Sequence, residues 1–84
     1  MSKELVEAFG VAVRHLRETN GWSQEQLAEH SNLNRSYVGE IERARVIPSL
    51  VTAHKLARAL DLDIVTLLTH CESIMKQKQT PVSI

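Results

Sequence analysis

The sequence predicts an all-α domain of five helices, in which the second and third form a helix–turn–helix. Two observations lead to this prediction. Apolar residues recur at spacings of three and four along most of the chain, which is the pattern of a helix with one buried face. Serine, asparagine and aspartate stand directly before these segments, where they can cap a helix.

The second helix and the turn after it carry the clearest local signals. Ser23 and Gln26 have the spacing of a capping box, so the helix is predicted to begin at residue 24 and to end near Ser31. Asn32 stands where the chain must reverse, and asparagine tolerates a left-handed backbone better than any residue except glycine. The pattern therefore predicts a tight turn directly after the helix.

The third helix has two contrasting faces. Asn34 is its predicted cap, and Tyr37, Val38 and Ile41 have the spacing of an inward face. The opposite face is polar and carries Arg35, Ser36, Gly39, Glu40 and Arg43. A short, held helix that presents such a stripe fits the major groove of DNA.

The remaining helices surround this pair. The first is predicted over Lys3–Thr19, capped by Ser2 and ended by a left-handed Gly21, with Trp22 packed at the junction with the second helix. The fourth covers residues 50–60 after the cap Ser49, with these residues pointing inward: Leu50, Ala53, Leu56, Ala57 and Leu60. The fifth follows the cap Asp63 and extends to about Cys71, with Ile64, Leu67 and Leu68 as its apolar face.

The chain is predicted to divide into a DNA-binding and dimerisation domain over residues 1–75 and a flexible tail over residues 76–84. With 84 residues and only three aromatic side chains, the core must be aliphatic and small, and such domains often gain stability by dimerising. One cysteine excludes an internal disulfide. No long apolar run or signal-peptide pattern occurs, which favours a soluble cytoplasmic protein with no membrane contact.

An enzyme is not predicted, because no catalytic or metal-binding constellation is present. The sequence contains no H-E-x-x-H pair, no phosphate-binding glycine loop and no nucleophile elbow. The four histidines are far apart along the chain, at positions 15, 30, 54 and 70. Neither a metal nor a cofactor is therefore expected.

The stretch from His15 to Leu68 resembles the phage-repressor, or xenobiotic-response-element, family of helix-turn-helix proteins. The resemblance depends on the turn between the second and third helices, the I-E-R ending of the third helix, the P-S-L start of the fourth and its A-x-x-L-A-x-A-L pattern, all in order. It implies a five-helix lambda-repressor-like DNA-binding domain. The segment S-N-L-N-R-S-Y-V-G-E-I-E-R is most similar to small controller proteins of restriction–modification systems.

The resemblance also implies roles for individual residues. The side chains that would contact base edges are Asn34, Arg35, Ser36 and Glu40. The side chains that would contact phosphates are Ser23, Gln24, Tyr37, Arg43 and Arg45. Arg35 is the best candidate for a bidentate bond to guanine, whereas Glu40 could accept from cytosine or hold Arg35 in place. Tyr37 could equally be a packing residue. Gln24 is also expected to brace the third helix.

Two further predictions concern structure and assembly. Arg17 and Glu42 match a pair that forms a buried ion bridge in some relatives. The fifth helix and the turn before it hold more apolar residues than one small core needs, which predicts a homodimer interface formed by Leu62, Ile64, Val65 and Cys71. The alternative is that all of these residues pack inward, Cys71 as a buried small hydrophobe. Leu67 and Leu68 are expected in the core.

Formal net charge is zero, so the distribution of charge has to account for nucleic-acid binding. Six acidic residues lie outside the helix–turn–helix, at positions 4, 7, 18, 61, 63 and 72, while Arg35, Arg43 and Arg45 lie on or beside it. The predicted function is a sequence-specific transcription regulator, repressor or activator, that binds double-stranded DNA as a homodimer on a palindromic operator and regulates its own gene. RNA polymerase is a further candidate partner. Alternatives are a phage repressor, an antitoxin-type regulator, or a protein-interaction adaptor that does not bind DNA.

Overall fold

The computed structural model describes residues 3–79 and contains five helices and no strand within that range. The helices are α1 (Lys3–Thr19), α2 (Gln24–Ser31), α3 (Arg35–Glu42), α4 (Leu50–Ala59) and α5 (Ile64–Gln79). The predicted all-α fold with a central helix–turn–helix is therefore confirmed. None of the described helices is both long and apolar enough to cross a membrane.

Local hydrogen bonds explain where the helices begin. Ser23, Asn34 and Ser49 each accept a bond from the backbone amide three residues later, and Asp63 accepts one from the Thr66 amide at 2.7 Å. That bond to the backbone also lowers the pKa of the Asp63 carboxyl. The predicted cap of α1, Ser2, lies outside the described residues.

The first four helices all end in the same way. One or two residues after each end the backbone has a positive φ, and the residue that follows donates its amide back to a carbonyl five positions earlier, as in a Schellman motif. The four left-handed residues are Gly21, Asn32, Ala44 and Asp61. The turns between helices are therefore short and fixed by backbone bonds.

One core lies between the five helices and is almost entirely aliphatic. Its buried members are Ala8, Phe9, Ala12, Val13, Leu27, Ala28, Val38, Ile41, Ala53, Leu56, Ala57, Leu60, Leu67 and Cys71. Trp22 is half-buried between α1 and α2, and its ring stacks on that of His30 with the centroids 4.1 Å apart.

Three predictions about the fold are wrong. Helix α5 does not end near Cys71 but continues to Gln79, so residues 76–79 of the predicted tail are helical, while residues 80–84 lie outside the described part. Leu50 was expected to point inward but is 78% exposed, because its position in the first turn of α4 lies beyond the edge of the core. Leu68, expected in the core, is 39% exposed.

Candidate nucleic-acid interface

The helix–turn–helix is held at each of its ends by local bonds. At the start of α2 the Ser23 hydroxyl accepts from the Gln26 amide at 3.1 Å, and the Gln26 side chain accepts from the Ser23 amide at 2.8 Å. At the start of α3 the Asn34 side chain accepts from the Tyr37 amide at 2.7 Å. Both Ser23 and Asn34 are thus structural caps, whatever further contacts they make.

The inner side of α3 is fixed by packing against α1. Val38 and Ile41 are fully buried in the core. Gly10 of α1 lies so close to the end of α3 that a Cβ atom at this position would be 2.7 Å from the carbonyl oxygens of Ile41 and Glu42. Only glycine permits this approach. The sequence gives no signal for the role of Gly10, because a helical pattern does not indicate the distance between two helices.

A network of charged and polar side chains ties α3 to both α1 and α2. Arg17 donates to Glu42 through Nε at 2.7 Å and through Nη2 at 3.0 Å, and its Nη1 donates to the carbonyl of Trp22 at 2.8 Å. Gln24 donates to the same Glu42 carboxylate at 3.0 Å. The Glu42 side chain is only 3% exposed, and its bonds raise the pKa of Arg17 above its already high value. The expected ion pair is present, and Gln24 braces α3 through Glu42.

The outer side of α3 is open. Arg35 and Ser36 are exposed, and within residues 3–79 no hydrogen-bond or ion-pair partner approaches the Arg35 side chain. A shallow cleft of about 200 Å³ follows this side of the helix and is lined by Gln24, Arg35, Ser36, Gly39 and Arg43. The cleft presents mainly hydrogen-bond donors to whatever approaches it.

Glu40 does not hold Arg35, which corrects one of the two alternatives given for it. Its carboxylate instead accepts from Arg43 Nη2 at 2.7 Å. Arg43 is the residue that closes α3, and its guanidinium lies back along the helix instead of extending past its end. Arg45 lies in the following loop with an exposed side chain.

Tyr37 is half-buried and faces α4. Its hydroxyl lies 3.4 Å from the Thr52 hydroxyl, which in turn is bonded to the cap Ser49. These contacts support the packing alternative, because they give the ring and its hydroxyl an internal position. A phosphate contact by the same hydroxyl stays a prediction.

The residues predicted for the dimer interface are divided by the structure. Val65 is 69% exposed, whereas Leu62 and Ile64 are half-buried against the core. The prediction of Cys71 as an interface residue is wrong, because its thiol is fully buried within the chain. Loss of solvent around the thiol raises its pKa to about 11. Two adjoining clefts are lined by the half-buried Leu5 and by four exposed apolar residues, and the five are here called the apolar face: Leu5, Ile47, Leu50, Val65 and Leu68.

Comparison with known proteins agrees with this geometry. The control protein C.SmaI of Serratia marcescens is 42% identical over 66 residues, which cover 79% of this chain and 79% of that protein. The immunity repressor protein of Bacillus phage phi105 is 37% identical over 70 residues, which cover 83% of this chain and 48% of the repressor, so the chain spans about half of its length. The crystal structure of the restriction-modification controller protein C.AhdI from Aeromonas hydrophila matches with a TM-score of 0.72 at 48% identity, over 79% of this chain and 98% of that one.

The resemblances stated from the sequence are thereby confirmed. A family model described as a helix-turn-helix domain matches residues 8–69, which include all of α2, α3 and α4. This match covers well over half of the chain, and the chain belongs to the helix-turn-helix domain family.

Proposed function

We propose that this protein is a sequence-specific DNA-binding transcription regulator of the restriction–modification controller type, which acts as a homodimer on a palindromic operator. The observation that carries the proposal is the contrast between the two sides of α3. Its inner side is fixed by the core and by the Arg17–Glu42 pair, while Arg35 on its outer side has no partner within the described chain. A rigid helix that offers an unpaired arginine is suited to a base edge in the major groove.

Arg35 is the principal base-contacting residue in this proposal. It lies in the first turn of α3, which is the part of such a helix that enters the groove most deeply. Its neighbour Ser36 is also exposed and can donate to or accept from a base. The caps Ser23 and Asn34 leave amides at the helix starts, where the partial positive charge favours phosphate.

The proposal includes a homodimer because one protomer offers few cations to the DNA. Arg35, Arg43 and Arg45 are the arginines on or next to α3, and Arg43 is partly neutralised by Glu40. Few phosphate contacts mean weak, salt-sensitive binding by a monomer. Two protomers joined through the apolar face would double the contacts and place the two α3 helices on half-sites about one helical turn apart.

The controller assignment draws on the similarity to C.SmaI and C.AhdI, and it implies that the protein regulates its own gene. A phage-type repressor is the second candidate, favoured by the similarity to the phi105 immunity repressor. Both would act on DNA in the cytoplasm. Contact with RNA polymerase would accompany activation and would be absent from simple repression.

Selection of duplexes from a random library, followed by fluorescence anisotropy, tests the proposal. We expect one preferred palindromic site, and binding to unrelated DNA that weakens steeply as salt rises. Arg35→Ala should lose tenfold or more in affinity for the selected site while its binding to unrelated DNA changes little. Arg58→Ala is the matched control, because it removes an equal charge from α4. A protein that selects no duplex and has no affinity for DNA at low salt would instead be an adaptor.

A further inference from the structure

The Arg43 side chain extends back along α3, so that its guanidinium lies beside Gly39, one turn before residue 43. Both of its terminal nitrogens are 3.3 Å from the point where a Cβ atom of Gly39 would be. Long helical side chains lean toward the helix N-terminus, and here the missing side chain at residue 39 gives this one room to do so. The positive charge is thereby carried from the end of α3 to its middle.

One hydrogen bond holds the guanidinium there, and the surrounding structure is itself fixed. Glu40 accepts from Nη2 at 2.7 Å. The Gln24 side-chain oxygen lies 3.4 Å from the same Cβ position of Gly39, and Gln24 is itself fixed by its bond to Glu42. The backbone of Arg43 is also fixed, because α3 ends in the bonds from the Ala44 amide to Ile41 and from the Arg45 amide to Glu40.

This position brings Arg43 onto the same side of α3 as Arg35. Residues 35, 39 and 43 are spaced by four, so they follow one line along the helix, and Arg35, Gly39 and Arg43 line the same cleft. The Cα atoms of residues 35 and 39 are about 6 Å apart along the axis. That distance is close to two base-pair steps, so two guanidinium groups with this offset can address different base pairs.

We propose that Arg43 is the second base-contacting side chain of α3, and that Glu40 is a positioning residue for Arg43, not a base contact of its own. The proposal rests on the proposed function. A carboxylate facing DNA is repelled unless it is paired, and the Glu40 carboxylate is paired with Arg43. One bond to Glu40 leaves the guanidinium with four N–H donors, which is enough for the two-bond contact with a guanine edge.

Arg43→Lys tests this, because it keeps the charge and removes the planar fork. Base preference is measured by selection from a random duplex library and by anisotropy on single-base variants of the selected site. We expect preference at one base pair to fall about tenfold or more, with affinity for unrelated DNA and its salt dependence unchanged. Arg45→Lys, in the exposed loop, is the control. An unchanged preference in Arg43→Lys would mean that Arg43 contacts phosphate only, and the proposal would be wrong.

The Gly39→Ala variant tests whether residue 39 affects base preference through the position of Arg43 without lowering the stability of the fold. Its Cβ would meet only the ends of the Arg43 and Gln24 side chains, which can move, so the helix should tolerate it. Alanine is also the better helix former. We therefore expect an equal or higher melting temperature together with weaker preference at the base pair affected by Arg43→Lys. A purely structural role for residue 39 would leave base preference as it is.

Glu40→Gln completes the set. If Glu40 positions Arg43, this variant weakens preference at the same base pair as Arg43→Lys. If it changes preference at a different base pair, Glu40 contacts a base itself and the proposal is overturned. The wild-type selection distinguishes this failure from that of the proposed function. A wild-type protein that selects no duplex refutes both, whereas one that selects a duplex unaffected by Arg43→Lys refutes only this inference.

Discussion

Replacing Glu42 by alanine should destabilise the whole domain, because one carboxylate joins three helices. Glu42 receives two bonds from Arg17 of α1 and one from Gln24 of α2, at distances of 2.7–3.0 Å. Its side chain is 3% exposed and that of Arg17 is 11% exposed. Without the carboxylate, the guanidinium stays in a place that water reaches poorly.

The expected loss in the free energy of unfolding depends on which hydrogen bonds and ion pairs Arg17 would retain. Removing one partner of a buried ion pair typically costs about 3–5 kcal/mol. Arg17 retains its bond to the Trp22 carbonyl at 2.8 Å, and the exposed Glu18 lies 4.0 Å away and can move closer. We therefore expect the lower end of the range, about 3 kcal/mol. For a domain of this size that corresponds to a fall in melting temperature of roughly 12–24 °C.

Chemical and thermal unfolding followed by circular dichroism measure the effect. Glu18→Ala is the control, because its pair with Arg14 is exposed and should be worth less than about 1 kcal/mol. The double variant Arg17→Met/Glu42→Leu strands no charge and should be more stable than Glu42→Ala alone. The reasoning is refuted if Glu42→Ala costs no more than Glu18→Ala, or if the double variant is the less stable of the two.

Three other predictions concern packing, pH and assembly. Gly10→Ala should cost about 1–3 kcal/mol in the free energy of unfolding, because its Cβ would meet backbone oxygens at 2.7 Å, whereas Gly39→Ala should cost nothing. Burial raises the pKa of Cys71 from 9.0 to about 11, so the unfolded chain loses this proton first. Stability should therefore fall between pH 9 and 11 by about 2–3 kcal/mol, and a Cys71→Ala variant measured in parallel should lack this part of the loss. Val65→Asp should give folded monomers of 9.5 kDa in light scattering, with an unchanged helical circular dichroism spectrum, whereas Val11→Asp, outside the apolar face, should stay dimeric. A dimeric Val65→Asp would place the interface elsewhere.

The helix boundaries were largely predictable because they depend on local chemistry. The hydroxyl of Ser23 and the amide oxygen of Asn34 form bonds only three residues along the chain, so the residue type and its position are sufficient to predict them. Left-handed turns at Gly21 and Asn32 are predictable for the same reason. Ala44 is the exception, since its side chain gives no sign of the left-handed backbone that the end of α3 imposes.

The spacing of apolar residues could not predict whether the face that they form packs against another helix. Leu50 and Leu68 have the correct spacing for a core, but spacing shows only that residues share a face. Whether that face meets another helix depends on the arrangement of all five. The apolar residues that stay exposed among residues 3–79 are therefore informative, because their exposed area is what a second protomer could bury.

On the polar side of α3, too, some features follow from the local sequence and others depend on the folded structure. Sequence spacing placed Arg35, Glu40 and Arg43 on one side of α3, and this was sufficient to predict a polar surface toward DNA. Spacing also favours Arg43, three residues from Glu40, over Arg35, five residues away, because side chains three and four positions apart are neighbours on a helix. Spacing does not show how far the guanidinium lies back along the helix, and here the missing side chain at Gly39 leaves room for it while it donates to Glu40. A residue with no functional group of its own thus gives the Arg43 guanidinium room beside the cleft that Arg35 also lines.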